Sequence, residues 1–140
     1  MKKPTRRRPI IRLTPIHRDS RGSIWDIVDA KFRHMTIVIS KRGAVRGNHY
    51  HKRTTQHTYV VSGKALWYTQ ERRPKPGPIR VKRVEAGDLI ITPPWQAHSM
   101  RALADTLMIE LSDTSRAGNR FEAETVRVEP INDRRPASRQ

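Results

Sequence analysis

Two imidazoles separated by one residue, His49 and His51, stand in the segment Gly43-Ala-Val-Arg-Gly-Asn-His-Tyr-His-Lys-Arg-Thr-Thr-Gln56, which runs on to Gly63. In an extended strand residues i and i+2 point to the same side, so the two rings project together, about 7 Å apart along the backbone. Convergent imidazoles can hold a divalent metal ion or serve as a general acid/base pair. A second segment, Gly87-Asp-Leu-Ile-Ile-Thr-Pro-Pro-Trp-Gln-Ala-His98, supplies a third imidazole after a short apolar run.

Taken as metal ligands, His49, His51 and His98 give three neutral nitrogen donors and leave positions open for water or substrate. Gln56 could add its amide oxygen as a fourth ligand. A neutral amide holds zinc, iron, manganese or nickel less firmly than a carboxylate would, and it leaves the site more positive for an anionic substrate. Taken as acid and base, the same histidines need no metal. Moving a carbonyl to a neighbouring carbon requires removal of an acidic C–H proton, an enediol, and reprotonation elsewhere, and a histidine titrating near neutrality can do both. His49 and His51 are both candidates for that base, and Gln56 could orient a ring or bind a hydroxyl.

Other side chains have roles that location alone suggests. Arg46 and Lys52 flank the histidines and suit a pyrophosphate, arginine as a bidentate partner and lysine as a point charge. Trp95, shortly before His98, is expected at the mouth of the site. Tyr59 and Trp67 could stack on a ring, although buried packing is the commoner use of such residues. His57 follows Gln56 and should face the opposite way. His17 and His34 lie outside both segments and read as structural. Glu110 and Asp113 are acid/base candidates by position only.

The elements that would carry these residues are short. Strands are expected over 23–28, 34–40, 56–61, 64–70, 79–85, 88–92, 97–102, 106–112 and 124–129, with turns at 19–22, 62–63, 74–78, 86–87 and 117–119. Residues 36–39 are continuously apolar, the pattern of a strand buried on both faces or of a buried helix segment. Residues 125–129 alternate. No long stretch carries a helical period, and about nine short strands in one domain imply an antiparallel sandwich or barrel.

With 140 residues the chain suits one domain. It divides into a basic arm over 1–9, a domain over 10–130 and a polar tail over 131–140. It contains no cysteine, which excludes disulfides, thiolate metal sites and cysteine nucleophiles and fits a reducing compartment. No apolar run reaches the roughly 18 residues of a membrane span, and none follows the basic N-terminus as a signal peptide needs. A cytoplasmic location is therefore expected. Lys and Arg number 29 against 13 Asp and Glu, a formal charge of +16. Such a field attracts polyanions. Nucleic acid is the less favoured partner, since the chain shows no helix-turn-helix, aromatic RNA-binding signature or regular basic stripe. An anionic small molecule is the favoured one.

The spacing Gly43-x5-His49-x-His51-x4-Gln56-x6-Gly63 resembles the first motif of the cupin superfamily, with Gln where Glu is usual. Gly87-x5-Pro93-x-Trp95-x2-His98 resembles the second, with Trp where Gly is common and Ala102 where Asn is usual. Together they span roughly residues 20–115. The resemblance implies an all-β double-stranded β-helix, the RmlC-like cupin jelly roll, with the site in its mouth and a homodimer that completes its sheets. Arg46, Gly47, His49, His51, Lys52 and Gln56 match, position by position, the core of the nucleotide-sugar 3,4-ketoisomerases. The related 3,5-epimerases and the cupin domains of capsule-synthesis reductases resemble it too. The resemblance thus implies an isomerase or epimerase acting on a nucleotide-linked keto-deoxysugar, with the matching histidines carrying the chemistry and no cofactor required. Two rivals come from other classes: a metal-dependent oxygenase or hydrolase using His49, His51, Gln56 and His98, and a sugar- or metal-binding module without turnover.

Overall fold

The computed structural model describes residues 9–132. In chain order the strands are β1 (Ile10–Arg12), β2 (His17–Asp19), β3 (Gly22–Ile24), β4 (His34–Ser40), β5 (Val45–His51), β6 (Gln56–Ser62), β7 (Lys64–Glu71), β8 (Arg80–Glu85), β9 (Asp88–Thr92), β10 (Gln96–Ala102) and β11 (Thr106–Ser112). A five-residue helix, α1 (Arg120–Glu124), and a last strand, β12 (Thr125–Arg127), follow. The strands expected over 34–40, 88–92 and 106–112 form at those bounds. Each is rich in β-branched or long apolar residues and is stopped by Gly, Pro or Asp near its ends.

Two five-stranded antiparallel sheets face each other, ordered β1-β9-β6-β11-β4 and β12-β5-β10-β7-β8, and β2 and β3 form a separate hairpin. From β4 to β12 the chain crosses between the two sheets at every step except β7 to β8, which is how an antiparallel sandwich becomes a jelly roll. Alternation sends one side of every strand inward. Val60, Ala65, Trp67, Val84, Ile90, Met100, Ala102 and Met108 meet there as the main core. The opposite face of the second sheet is also covered: Tyr68, Ala97 and Ile131 pack together with Tyr50, Leu66, Ile79 and Val128 as the chain end returns over it.

Several expectations are corrected. The segment 36–39 is buried on one face only. Met35, Ile37 and Ile39 on β4 are 61%, 59% and 69% exposed, while Ser40 on the other side of the strand is buried. The strand lies at the edge of its sheet with apolar residues on both faces, so alternation of burial leaves no trace in residue type. The region expected as a strand over 23–28 pairs only through Gly22–Ile24. Strands β1, β2 and β5 and the helix at 120–124 are additions to the expected spans; β1, β2 and the helix are too short to generate a period, and β5 is foreshadowed only by the shared side of His49 and His51. Residues 1–8 and 133–140, most of the expected arm and tail, lie outside the described residues, but Ile131 and Asn132 are 3% and 5% exposed. Among the described residues no helix is long and apolar enough to cross a membrane.

Candidate active site

The site begins with an irregularity in β5. Arg46 pairs with Met100 and Gly47 with Ser99, but His49 pairs with His98, so one extra residue is accommodated at the step between His98 and Ser99. Gly47 and Asn48 take positive φ there, 92° and 59°. A β-bulge of this kind resets the alternation of faces. Arg46 therefore shares the inner face with His49 and His51, although an odd number of positions separates it from both. Gly47 is required, since a Cβ at this position would stand 2.7 Å from the carbonyl oxygen of His98. Asn48 steadies the bulge by accepting from the backbone N–H of Ile131 (2.9 Å) and donating to the Asn132 side chain (2.9 Å).

Three imidazoles converge on the inner face. The ring centre of His49 lies 5.0 Å from that of His51 and 4.7 Å from that of His98, and the latter two are 5.7 Å apart. Their coordinating nitrogens all fall within 4.8 Å of one another. His51 and His98 are buried and His49 is half-buried. The cluster is therefore approached past His49. Burial, the neighbouring His51 and the guanidiniums of Arg127 and Arg116 push His49 down to about 4. His98 is held down to about 3, chiefly by burial and then by His49 and His51. His51 is also lowered by burial, against the pull of Glu124. All three rings are thus neutral near pH 7, the form that accepts a proton or binds a metal.

The hydrogen bonds of His51 fix its tautomer. Its Nδ1 lies 3.0 Å from the Thr125 hydroxyl and 3.2 Å from Glu124 Oε1. The Thr125 hydroxyl donates to the Phe121 carbonyl at 2.7 Å, so its proton is committed and it faces His51 as an acceptor. A carboxylate is an acceptor as well. Nδ1 consequently carries the proton and Nε2 the lone pair. That Nε2 is buried with no hydrogen-bond partner among the described residues. Glu124 is itself anchored, accepting the backbone N–H groups of Arg53 (2.8 Å) and Thr54 (3.1 Å) and the Thr54 hydroxyl. Phe121 closes the remaining side of His51, ring centres 5.0 Å apart.

His98 is held differently. The Trp67 ring lies parallel to it, 5° from coplanar orientation and 5.7 Å between centres. Its Nδ1 has only a long 3.5 Å contact with the Gln96 carbonyl of its own strand.

Not every expected residue joins the cluster. Arg46 stands at its edge, donating to the Ser40 hydroxyl (2.8 Å) and the Ile39 carbonyl (2.9 Å). Gln56 is buried on the inner side of β6 with Oε1 unpaired among the described residues, and no hydrogen bond ties it to a histidine. Lys52 is exposed just past the end of β5 and borders a separate groove with Arg33, Arg53 and Arg120. Trp95 stacks 5.0 Å from Tyr50 and under the Arg73 guanidinium at 3.3 Å. Tyr50 lies between the two histidines in sequence and so faces outward, and Trp95 belongs to that outer side rather than the cluster.

His57 sits edge-on to Phe32 outside the barrel, and Tyr59 alternates with the inner residues of β6. Exposed His17 bonds Asp19 within the β2–β3 hairpin. Asp113 accepts the Thr55 backbone N–H at 3.0 Å, a loop contact. Glu110 does share the inner side of β11 with Met108; burial raises its carboxyl pKa against the opposing charges of Arg116 and Arg46.

Four residues that matter escape the sequence patterns: Glu124, Thr125, Arg116 and Arg127. Arg116 donates to the Thr36 hydroxyl (3.3 Å), lies over the Phe121 ring (4.1 Å) and acts electrostatically on His49, His51 and Glu110. The only signal in the chain is Phe121-Glu-Ala-Glu124, which puts an aromatic and a carboxylate on one face of a helical turn.

Residues 17–125 match the family model described as the polysaccharide biosynthesis C-terminal domain. The chain belongs to that family. No curated protein sequence matches it significantly. Among solved structures, ChmJ, a 3'-monoepimerase from Streptomyces bikiniensis seen with dTDP-quinovose, aligns with TM-score 0.74 at 18% identity over 87% of this chain and 69% of that one. QdtA, a sugar 3,4-ketoisomerase from Thermoanaerobacterium thermosaccharolyticum seen with TDP, gives 0.68 at 13% identity over 84% and 85%. The capsular polysaccharide assembling protein CapF from Staphylococcus aureus gives 0.61 at 24% identity over 84% of this chain and only 33% of its own. These likenesses establish that this member of the polysaccharide biosynthesis C-terminal domain family has the RmlC-like cupin jelly roll.

Proposed function

We propose that the protein is an enzyme that isomerises or epimerises a nucleotide-linked keto-deoxysugar by proton transfer at the carbon beside the carbonyl. The observation that carries this reading is His51, whose Nδ1–H is held by Glu124 and Thr125 so that Nε2 points its lone pair into the cluster. A carboxylate that orients a histidine and steadies the imidazolium is what a strong general base requires. In the proposed step Nε2 takes the α-proton and the C–H electron pair forms the enediolate. For isomerisation the proton returns to the former carbonyl carbon while the hydroxyl proton on the α-carbon passes to the former carbonyl oxygen. For epimerisation a second acid protonates the α-carbon from the opposite face while Nε2 gives its proton to solvent. His49, the least buried ring of the cluster, stands where it can contact the reacting sugar.

Arg46, Arg116 and Arg127 surround the approach and suit a pyrophosphate, and their charge stabilises the developing enediolate. Glu110 and Gln56 complete the inner wall with groups able to bond hydroxyls. The structural relatives seen with dTDP-quinovose and TDP support a nucleotide-sugar ligand. A nucleotide sugar and a chain without cysteine suit a cytoplasmic enzyme. The exposed row Met35, Ile37 and Ile39 on edge strand β4 supports a homodimer.

A metal reading has one observation in its favour: three coordinating nitrogens within 4.8 Å of one another. His49, His51 through Nε2, and His98 fit a divalent ion, with the Glu124 carboxylate in the supporting position that metal-bound histidines commonly use. Zinc, iron, manganese or nickel there would act as a Lewis acid on a substrate carbonyl. Gln56, whose buried Oε1 has no hydrogen-bond partner among the described residues, is the fourth donor that chemistry suggests.

The test is solvent deuterium incorporation at the α-carbon across a panel of 4-keto-6-deoxy nucleotide sugars, with metal content measured on protein purified without chelators or an affinity tag. Exchange that survives chelation and is lost in His51→Asn supports the metal-free reading. No exchange with any keto sugar would sink it, and exchange lost on chelation would transfer the chemistry to the metal.

A further inference from the structure

A cavity of about 650 Å³ opens between strands β7 and β8 on one side and β1 and β9 on the other. None of the three histidines lines it. Trp67 stands between: its ring stacks on His98, and the same residue forms part of the cavity wall. The volume lies within the range of small-molecule sites.

Its polar groups are specific. Trp67 and Gln96 are 3% and 8% exposed, and Trp67 Nε1 and Gln96 Oε1 are buried with no hydrogen-bond partner among the described residues. One is a donor and the other an acceptor. A buried polar group left unpaired costs roughly 1–3 kcal/mol, so a ligand able to satisfy both is favoured. Separate hydroxyls of one ligand can supply the acceptor and the donor. The Gln96 amide is already oriented, because its Nε2 donates to Glu71 Oε1 at 2.6 Å. Thr69 adds a hydroxyl to the same wall.

The charge at the rim is also set by register. Lys82 pairs with Trp67 and Arg80 with Thr69, so both cations sit on the inward side of β8 beside these residues. Both are exposed on edge strand β8 and line the rim of the cavity. Neither takes part in an ion pair here among the described residues, and Glu71 is the one carboxylate among the residues that line the cavity with them. Apolar walls from Ile10 and Ile90 suit the C–H face of a sugar ring.

We propose that this cavity is a second binding site, for a phosphorylated monosaccharide, whose hydroxyls meet Trp67, Gln96, Thr69 and Glu71 and whose phosphate meets Arg80 and Lys82. The site does not depend on the chemistry assigned to the histidines. Through the Trp67–His98 stack, occupancy of the cavity stiffens one wall of the histidine cluster.

Isothermal titration of the full chain tests it, using glucose 1-phosphate and glucose 6-phosphate against glucose, inorganic phosphate and dTDP. At least one hexose phosphate should bind, with glucose and inorganic phosphate at least about tenfold weaker. The doubly substituted R80A/K82A chain, altered only at exposed edge positions, should lose at least about tenfold in hexose-phosphate affinity while retaining its far-UV spectrum. His49→Asn should leave that affinity unchanged. Failure of both hexose phosphates to bind, binding indifferent to R80A/K82A, or binding abolished by His49→Asn would each overturn the proposal. So would loss of dTDP binding in R80A/K82A, which would make the cavity the nucleotide half of the histidine site.

Discussion

The two walls of the histidine cluster are built for different work. On one, His51 is gripped at Nδ1 by Glu124 and Thr125, which the chain brings from a distant helix and strand of their own. On the other, His98 leans against Trp67 with a single long contact to its own strand. Both rings are buried and both titrate low, so burial alone does not distinguish a base from a packed histidine. Directed hydrogen bonds do, because they choose which nitrogen holds the lone pair. On the proposed reading, the β5 wall transfers the proton and the β10 wall supports it.

The largest effect should come from the β5 wall. His51→Asn should lower turnover about a thousandfold, in the range that general bases contribute, with binding of the nucleotide sugar retained. Glu124→Gln keeps the shape, removes the charge that favours the imidazolium, and should cost about a hundredfold in kcat with KM little changed. His98→Gln should cost less than about tenfold. Steady-state kinetics of the three variants side by side sharpens the contrast: equal losses in His51 and His98 variants would point to shared ligation of a metal.

A smaller effect concerns the bulge that aims the β5 wall. Gly47→Ala places a Cβ 2.7 Å from the His98 carbonyl oxygen at a backbone φ of 92°. Strain of this kind costs of order 1–3 kcal/mol. Thermal unfolding should show a fall of several degrees, with activity at low temperature reduced more than in a surface control.

Acid should expose the other property of the walls. His49 falls to about 4 and His98 to about 3 when folded, against about 6.5 in the unfolded chain. Between those values the unfolded state binds more protons, so stability is full above about pH 6.5 and declines as pH drops towards about 4 for the His49 contribution and about 3 for that of His98. Replacing His98 with Gln should flatten that decline in denaturant titrations across the same pH window. An unchanged slope would mean that His98 is not held neutral by burial.

Legibility in the chain depends on separation in sequence. His49 and His51 share a strand, so elementary alternation is enough to put them on one side. His98 joins them through the pairing of β10 with β5, which the two motifs foreshadow through the fold they resemble. Glu124 and Thr125 leave no such trace, because a five-residue helix has no period and Thr125 lies 74 positions from His51. Arg46 shares the inner side only because of a bulge, and one inserted residue inverts every parity argument upstream of it. Trp95, expected at the mouth, has a φ of 64° that carries its ring to Tyr50. On β4 an uninterrupted apolar run hides which side meets solvent.

The most direct check on the β5 wall is the tautomer of His51 itself, read by long-range ¹⁵N–¹H correlation on labelled protein near pH 7. His51 should show a protonated Nδ1 and a bare Nε2, with the pattern lost in Glu124→Gln. A proton found on Nε2 in the wild-type protein would contradict its role as the base.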